Sequence, residues 1–245
     1  MIDAVILGII QGISEWFPIS SSAHLALAQR YLGIREPVIF DVILHLGSLV
    51  VIFAVFYKQI KNLVLRAIKK EKKALDYITM LIIASIPIAV LGLVFNSHIK
   101  QVFESTQTIG ISLIVTSIFL FMSQYVKKDK KLNRKNTFTI GLAQSLALLP
   151  GISRSGITIS SGMLQGIGQE DAATFSFLLA IPAILGASIL EFKNIGQVTN
   201  LDTLLIATIV TIITGYISLK LLMKTIRKIH YFGWYCLFLG ISLII

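Results

Sequence analysis

The stretch Pro18-Ile19-Ser20-Ser21-Ser22 interrupts an apolar run that extends from residue 2 to residue 33. A second apolar run, residues 137–167, is interrupted in the same way at Pro150-Gly151-Ile152-Ser153. Proline removes a backbone hydrogen bond and ends a helix before it. Each half is then about 13–16 residues long, short of the roughly 20 that a spanning helix needs. Each run is therefore predicted to form a re-entrant helical hairpin with a polar tip.

The composition predicts a membrane protein. Of the 245 residues, 55% are hydrophobic and 14% are charged, whereas a typical soluble domain has roughly 45–50% apolar and 25% charged residues. Apolar runs that could serve as spans lie at about 39–57, 76–95, 108–126, 172–190 and 203–222, with a shorter one at 231–245. The predicted fold class is all-α integral membrane, with six transmembrane helices plus the two re-entrant hairpins.

Basic residues cluster in three loops between the apolar runs. The clusters are Lys58, Lys61, Arg66, Lys69, Lys70, Lys72 and Lys73; Lys127, Lys128, Lys130, Lys131, Arg134 and Lys135; and Lys220, Lys224, Arg227 and Lys228. Such loops face the cytoplasm, and all three reach that side only if run 137–167 crosses the bilayer twice or not at all; it is too short for two full crossings. Both termini are then predicted to lie outside, if run 2–33 is likewise re-entrant. This topology accounts for the net charge of +10, and nucleic acid is not expected as a partner.

The chain is predicted to be a single membrane domain, residues 1–245, built from two copies of one unit. Gly8-Ile9-Ile10-Gln11 resembles Gly141-Leu142-Ala143-Gln144, and a serine follows each glutamine by nine residues. Repeat one covers about residues 1–126 and repeat two about 136–245. Each hairpin precedes three spans, an odd number, so the second copy is inverted. Inverted repeats with broken helices place a polar site at the repeat interface near the bilayer midplane.

Polar side chains collect at the two interruptions, and polar groups within membrane segments are functional candidates because they are costly there. They are Gln11, Glu15, Ser20, Ser21, Ser22 and His24 in the first hairpin, and Gln144, Ser153, Arg154, Ser155 and Thr158 in the second. A helix that begins at serines offers unpaired N–H groups to an anion, and the Arg154 guanidinium matches phosphate oxygens. The sequence therefore predicts an anion site, for phosphate or diphosphate.

Simpler interpretations of the same residues stay open. Serines after a proline commonly cap helices, His24 could bond a backbone carbonyl, and Glu15 could be only the ion-pair partner of Arg154. Asp41 and His45, which lie four residues apart near the start of a span, are interpreted as structural.

Two motifs resemble the signatures of a known family. Residues 11–24, QGISEWFPISSSAH, and residues 150–158, PGISRSGIT, are similar to the two signatures of the undecaprenyl-pyrophosphate phosphatase family of the bacitracin-resistance type. The likeness covers nearly the whole chain. It implies hydrolysis of a C55 polyprenyl diphosphate to the monophosphate carrier lipid and inorganic phosphate, at a site open to the outer face of the membrane.

The resemblance also implies roles for individual residues. The family has Glu or Gln and then Glu in its acidic motif, so Gln11 leaves Glu15 to bear the acidic role alone. The expected catalytic residues are Glu15, Ser21 and His24, and the expected phosphate-binding residues are Arg154, Ser153, Ser155, Thr158, Gln11 and Ser20. The nucleophile is left open between Ser21 activated by Glu15 or His24, His24 itself, and an activated water.

The expected cofactor and partners follow from the same resemblance. It implies that Mg²⁺ or Ca²⁺ assists the reaction by bridging the phosphate and Glu15. No metal ligand is certain, and no organic cofactor is expected. The expected partners are the polyprenyl diphosphate and membrane lipids, and the oligomeric state is left open. The alternative function is a polyprenyl-phosphate flippase or transporter, because inverted repeats with broken helices are also transporter architecture.

Overall fold

A computed structural model describes residues 1–102, 105–125, 130–198 and 200–245, with residues 95–102 described by their backbone only. Lys127 and Lys128 of the second basic cluster lie outside the described residues. Within these residues the fold is helical, which confirms the predicted class. The helices are α1 Ile2–Ser14, α2 Ser21–Leu32, α3 Val38–Val55, α4 Tyr57–Ile68, α5 Lys72–Val102, α6 Thr106–Met122, α7 Arg134–Ser145, α8 Arg154–Leu164, α9 Gln169–Glu191, α10 Leu201–Thr225 and α11 Phe232–Ser242.

Long apolar helices account for the predicted spans. In the described part of the chain, five helical stretches are long and apolar enough to cross a membrane: Val38–Val55, Lys72–Val94, Thr106–Tyr125, Gln169–Gln197 and Leu201–Ser242. Each of the five longer predicted spans lies in one of them, apart from a residue or two at its end. The sixth coincides with α11, which follows α10 through the 3-10 turn Ile226–Tyr231. By length and composition, the chain is a multi-pass membrane protein.

Both interruptions lie where the prolines predicted them. Helix α1 ends at Ser14 and α2 begins at Ser21, while α7 ends at Ser145 and α8 begins at Arg154. The residue before each new helix is a serine whose hydroxyl accepts a backbone N–H: Ser20 from Ala23, and Ser153 from Gly156. The capping interpretation of these serines is therefore confirmed, and two helix N-termini are directed toward the interruptions.

Close helix packing holds both interrupted segments against the rest of the fold. Helix α1 packs against α10, α7 against α5, α6 against α11 and α3 against α9. A Cβ atom on Gly8 would lie 2.5 Å from the carbonyl oxygen of Ala207, and one on Gly141 would clash with the carbonyl oxygen of Ala84. Only glycine permits these approaches, so α1 and α7 lie directly on the backbones of long helices, with the interruptions beside the apolar core.

Candidate active site

Glu15 lies at the centre of the polar cluster. It directly follows α1, and its side chain is 5% exposed. Its Oε1 accepts a hydrogen bond from Arg154 Nη2 at 2.6 Å, and its Oε2 accepts one from Ser21 Oγ at 2.6 Å. Arg154 begins α8 and Ser21 begins α2, so this carboxylate joins the start of one broken helix to the start of the other. The structure brings these three predicted site residues together.

Arg154 is held in place by more than the carboxylate. Its side chain is 15% exposed, and Nη1 donates to the backbone carbonyl of Ser176 in α9 at 3.4 Å. Leaving a buried charge without its partner costs several kcal/mol, about 3–5 in measured cases. The interpretation of Glu15 as an ion-pair partner of Arg154 is thus confirmed in this structure, and any anion that engages the guanidinium competes with a carboxylate.

His45 is the residue of this cluster that the sequence interpretation missed. Its Nε2 lies 3.3 Å from Glu15 Oε2 and 3.5 Å from Ser21 Oγ. Interpreted as structural, it instead contacts two of the three predicted catalytic residues. The available signal was the Asp41–His45 pair at helical spacing in an apolar run, with Ser48 a further turn along.

Gln11 lies next to the Glu15 carboxylate. It is fully buried, and its Nε2 donates to Glu15 Oε2 at 3.3 Å and to Ser48 Oγ at 3.4 Å. Its Oε1 has no hydrogen-bond partner among the described residues. Gln11 is therefore a neutral neighbour of Glu15. The two residues lie one helical turn apart, as the sequence predicted.

The hydroxyls predicted to bind phosphate are engaged within the protein. Ser153 Oγ accepts from the Gly156 N–H at 3.1 Å and lies 3.3 Å from Ser155 Oγ. Thr158 Oγ1 donates to the carbonyl of Arg154 at 2.8 Å and lies 2.6 Å from Ser176 Oγ. These contacts fix the start of α8, and with it the position from which the Arg154 side chain extends.

His24 lies apart from the Glu15–Ser21 pair. Its Nδ1 donates to the Ser20 carbonyl at 2.7 Å, which confirms the simpler interpretation of this histidine. Its Nε2 lies 2.6 Å from the Tyr235 hydroxyl, and the two rings stack with centroids 5.6 Å apart. The structure therefore places His24 between α2 and α11, and does not bring it into hydrogen-bonding contact with Glu15 or Ser21.

Comparison with known proteins identifies the family to which this site belongs. Residues 4–242 match the model of a family described as bacitracin resistance protein BacA. The chain belongs to the BacA family. The match covers nearly the whole chain and confirms the resemblance carried by the two motifs.

Curated relatives are similar to this BacA family member along its full length. An undecaprenyl-diphosphatase of Methanosphaera stadtmanae is 39% identical, with 100% of this chain and 97% of the relative covered. An undecaprenyl-diphosphatase of Carboxydothermus hydrogenoformans is 38% identical, with 99% and 96% covered. The undecaprenyl-diphosphatase 2 of Bacillus thuringiensis is 38% identical, with 98% and 96% covered.

The donor set of this BacA site does not fit a resident divalent cation. Within the described residues, no group of three or more His, Cys, Asp and Glu side chains is arranged to hold a metal ion. Glu15 already accepts from Arg154 and Ser21 and lies beside His45. Hard cations need several oxygen ligands free to coordinate, whereas both oxygens of Glu15 already accept hydrogen bonds.

Proposed function

We propose that this chain is an undecaprenyl-diphosphatase, which removes the terminal phosphate of a C55 prenyl diphosphate and yields the monophosphate carrier lipid. The observation that carries the proposal is the buried Glu15 carboxylate, joined to a serine hydroxyl and to an arginine at 2.6 Å each. Phosphoryl transfer depends chiefly on positioning and on neutralising charge. The name shared by full-length relatives supplies the substrate.

Ser21 is the proposed nucleophile, because its hydroxyl already donates to a carboxylate that can take its proton. Arg154 turns from Glu15 to the diphosphate, and Ser21 Oγ attacks the terminal phosphorus while its proton passes to Glu15. The bond from the bridging oxygen to that phosphorus breaks, and the prenyl monophosphate leaves with the electron pair. Water then attacks the phosphoserine, which releases inorganic phosphate and restores the hydroxyl.

His24 is the proposed acid for the leaving group. Since its Nδ1–H is committed to the Ser20 carbonyl, only Nε2 can exchange a proton with a phosphate oxygen. That nitrogen now faces the Tyr235 hydroxyl, which substrate binding displaces. His24 acting as the nucleophile itself is the less supported arrangement, because nothing positions its Nε2 toward Glu15 or Ser21.

The proposed architecture is a single domain of two inverted repeats, about residues 1–126 and 136–245, with α1–α2 and α7–α8 as re-entrant hairpins. The packing supports it: α1 lies on α10 as α7 lies on α5, and α6 packs against its counterpart α11. The corresponding glycines Gly8 and Gly141 each approach the carbonyl of an alanine, Ala207 and Ala84.

The proposed orientation puts the basic loops in the cytoplasm, both termini outside and the site open to the outer face, where the substrate phosphates approach. Charge bias supports this arrangement. The test is labelling of single introduced cysteines with a membrane-impermeant maleimide in intact cells. The native Cys236 is buried and contributes little background. Termini that react only after the cells are opened would contradict the orientation.

The function is tested by phosphate release from C55 prenyl diphosphate with purified protein in detergent. The expected result is release by the wild type and its loss in Arg154→Ala. Protein that binds the prenyl monophosphate but releases no phosphate would instead favour the flippase alternative. Repeating the assay after chelation, and then with Mg²⁺ or Ca²⁺ restored, tests the predicted help from a cation.

A further inference from the structure

His45 belongs to α3, outside both interrupted segments, yet it contacts the centre of the site. Its side chain is 26% exposed, whereas that of Glu15 is 5% exposed. Its Nε2 lies 3.3 Å from Glu15 Oε2, the oxygen that accepts the Ser21 hydroxyl. Glu15 Oε2 also holds the Ser21 hydroxyl that is proposed to attack the phosphorus. A contact between His45 and this oxygen therefore affects where that hydroxyl lies.

The protein fixes the direction of the His45 ring. Its Nδ1 lies 2.7 Å from the Asp41 carbonyl, which can only accept, so Nδ1 carries a proton and Nε2 is left for Glu15. The Asp41 carboxylate in turn accepts from Gln29 Nε2 at 3.1 Å, which ties this turn of α3 to α2. A histidine whose one nitrogen is held by a carbonyl presents its other nitrogen in a set direction.

Each carboxylate oxygen of Glu15 therefore contacts a basic side chain: Arg154 contacts Oε1 and His45 contacts Oε2. In the proposed reaction Arg154 moves to the phosphates, and the carboxylate loses its stronger partner just when it must stay beside Ser21. Besides Ser21, Gln11 also donates to Oε2, at 3.3 Å.

We infer that His45 is a positioning residue: with a proton on both ring nitrogens, it donates Nδ1–H to the Asp41 carbonyl and Nε2–H to Glu15 Oε2, and it keeps that carboxylate beside Ser21 while Arg154 engages the diphosphate. This inference rests on the proposed function. Displacement of a reacting group by about 1 Å can cost on the order of 100-fold in rate. Loss of the His45 contact should therefore lower kcat, with little change in KM because the phosphates are held by Arg154.

Two amide substitutions distinguish the contacts made by the two ring nitrogens of His45. In His45→Gln the amide nitrogen reaches about as far as Nε2 and can donate to Glu15. In His45→Asn it reaches only about as far as Nδ1, so it can bond the Asp41 carbonyl but not Glu15. Both are neutral and polar, which makes them a matched pair, and His45→Leu removes both contacts.

The experiment measures kcat and KM for phosphate release from C55 prenyl diphosphate. We expect His45→Gln to stay within about tenfold of the wild-type kcat, and His45→Asn and His45→Leu to fall by about 100-fold. Equal kcat values for His45→Gln and His45→Asn, whether both are near the wild-type value or both are reduced, would overturn the inference. A wild-type kcat in His45→Leu would also overturn it. A wild type that releases no phosphate would instead overturn the proposed function. If His45→Leu does not fold, the Gln and Asn pair still decides.

A second inference concerns helix α4, at a different place in the molecule. It connects the end of the span Val38–Val55 to the start of Lys72–Val94, so both of its ends are at one membrane face. None of its residues is buried. Exposed apolar side chains lie along it, among them Val64, Leu65 and Ile68.

Two of the three charges of α4 lie on a separate face from its apolar stripe. Ile60, Val64 and Ile68 recur every fourth position on one side, whereas positions 58, 62 and 66 are Lys, Asn and Arg on another, and Lys61 lies at the edge of the stripe. Lys69 and Lys70 extend the basic character just past the helix end, and both are exposed. A helix with an apolar stripe, a basic face and both ends held at one membrane surface has the composition of an interfacial helix.

We propose that α4 lies in the bilayer interface, with its apolar stripe in the acyl boundary and its basic face on anionic lipid headgroups. Juxtamembrane basic residues are attracted to anionic lipid headgroups. This proposal does not depend on the enzymatic activity of the chain.

Val64→Cys and Gln59→Cys, each labelled with an environment-sensitive fluorophore, provide the test. Position 59 lies on the polar side of α4 and is exposed, so it is the matched control. The proteins are reconstituted in phosphatidylcholine vesicles with and without phosphatidylglycerol. We expect lipid-borne nitroxide to quench the label at 64 more than that at 59, and phosphatidylglycerol to widen the difference. Equal quenching at the two positions would overturn the interfacial placement, and no effect of phosphatidylglycerol would overturn the anionic preference.

Discussion

Glu15 and Arg154 form an ion pair at 2.6 Å although 139 residues separate them in the chain. The pair joins the two segments where the helices are broken, and both side chains are largely buried. A phosphate that binds this guanidinium competes with the carboxylate for its N–H donors. In the resting site the charges of Glu15 and Arg154 compensate each other, and substrate binding weakens that pair as it engages the arginine.

Arg154→Ala should lose nearly all phosphate release and also destabilise the protein. The truncated side chain leaves Glu15 buried without its partner, at a cost of about 3–5 kcal/mol. Thermal denaturation in detergent measures the stability. The double variant Glu15→Gln/Arg154→Met should recover stability, because neither charge remains, but should stay inactive. Full activity of Arg154→Ala would contradict the site assignment.

Ser21→Ala should abolish activity, whereas Ser22→Ala should retain most of it. Ser21 Oγ donates to Glu15, while Ser22 Oγ lies 3.2 Å from the capping hydroxyl of Ser20. Wild type quenched in denaturant at neutral pH, digested and sequenced by mass spectrometry, should carry phosphate on Ser21. Phosphate on His24 instead would identify the histidine as the nucleophile.

His24→Ala should lower kcat strongly, and Tyr235→Phe should leave it near the wild-type value. The alanine variant removes the proposed acid, whereas the phenylalanine variant removes only the hydroxyl that occupies His24 Nε2 and keeps the stacked ring. Steady-state phosphate release measures both. Comparable losses in the two variants would show that the hydroxyl is part of the catalytic arrangement.

Gly141→Ala should destabilise the protein, and Gly186→Ala should not. A Cβ at residue 141 clashes with the backbone of Ala84, whereas one at residue 186 meets no atom within 4 Å. Forcing extra atoms into a packed contact costs about 1–3 kcal/mol. Midpoints of thermal denaturation give the comparison, and equal midpoints would mean that α5 and α7 are less closely packed than the structure shows.

Local chemistry explains what could be predicted from the sequence. Pro18 and Pro150 mark the helix breaks, and Ser20 and Ser153 the caps, because both rules act within a few residues. The pairing of Glu15 with Arg154 was predictable as a hypothesis, because buried opposite charges need each other.

Contacts set by tertiary packing could not be predicted in the same way. His45 reaches Glu15 only because α3 lies beside the first interruption, and spacing along α3 carries no information about that neighbour. His24 turns to Tyr235 because α11 lies beside α2, and the two residues are 211 positions apart. The helical spacing of Asp41 and His45 singles out a polar face of α3, but it does not name the residue that this face contacts.

The distance in sequence between Glu15 and Arg154 also imposes an order on how the protein is made. A ribosome that adds about 5–20 residues per second produces Arg154 on the order of ten seconds after Glu15. Throughout that interval the carboxylate lacks the arginine that pairs with it in the folded protein. A nascent chain that stalls before residue 154 keeps Glu15 in an apolar segment without this partner, so translation as far as Arg154 becomes a condition for burying the first half of the site.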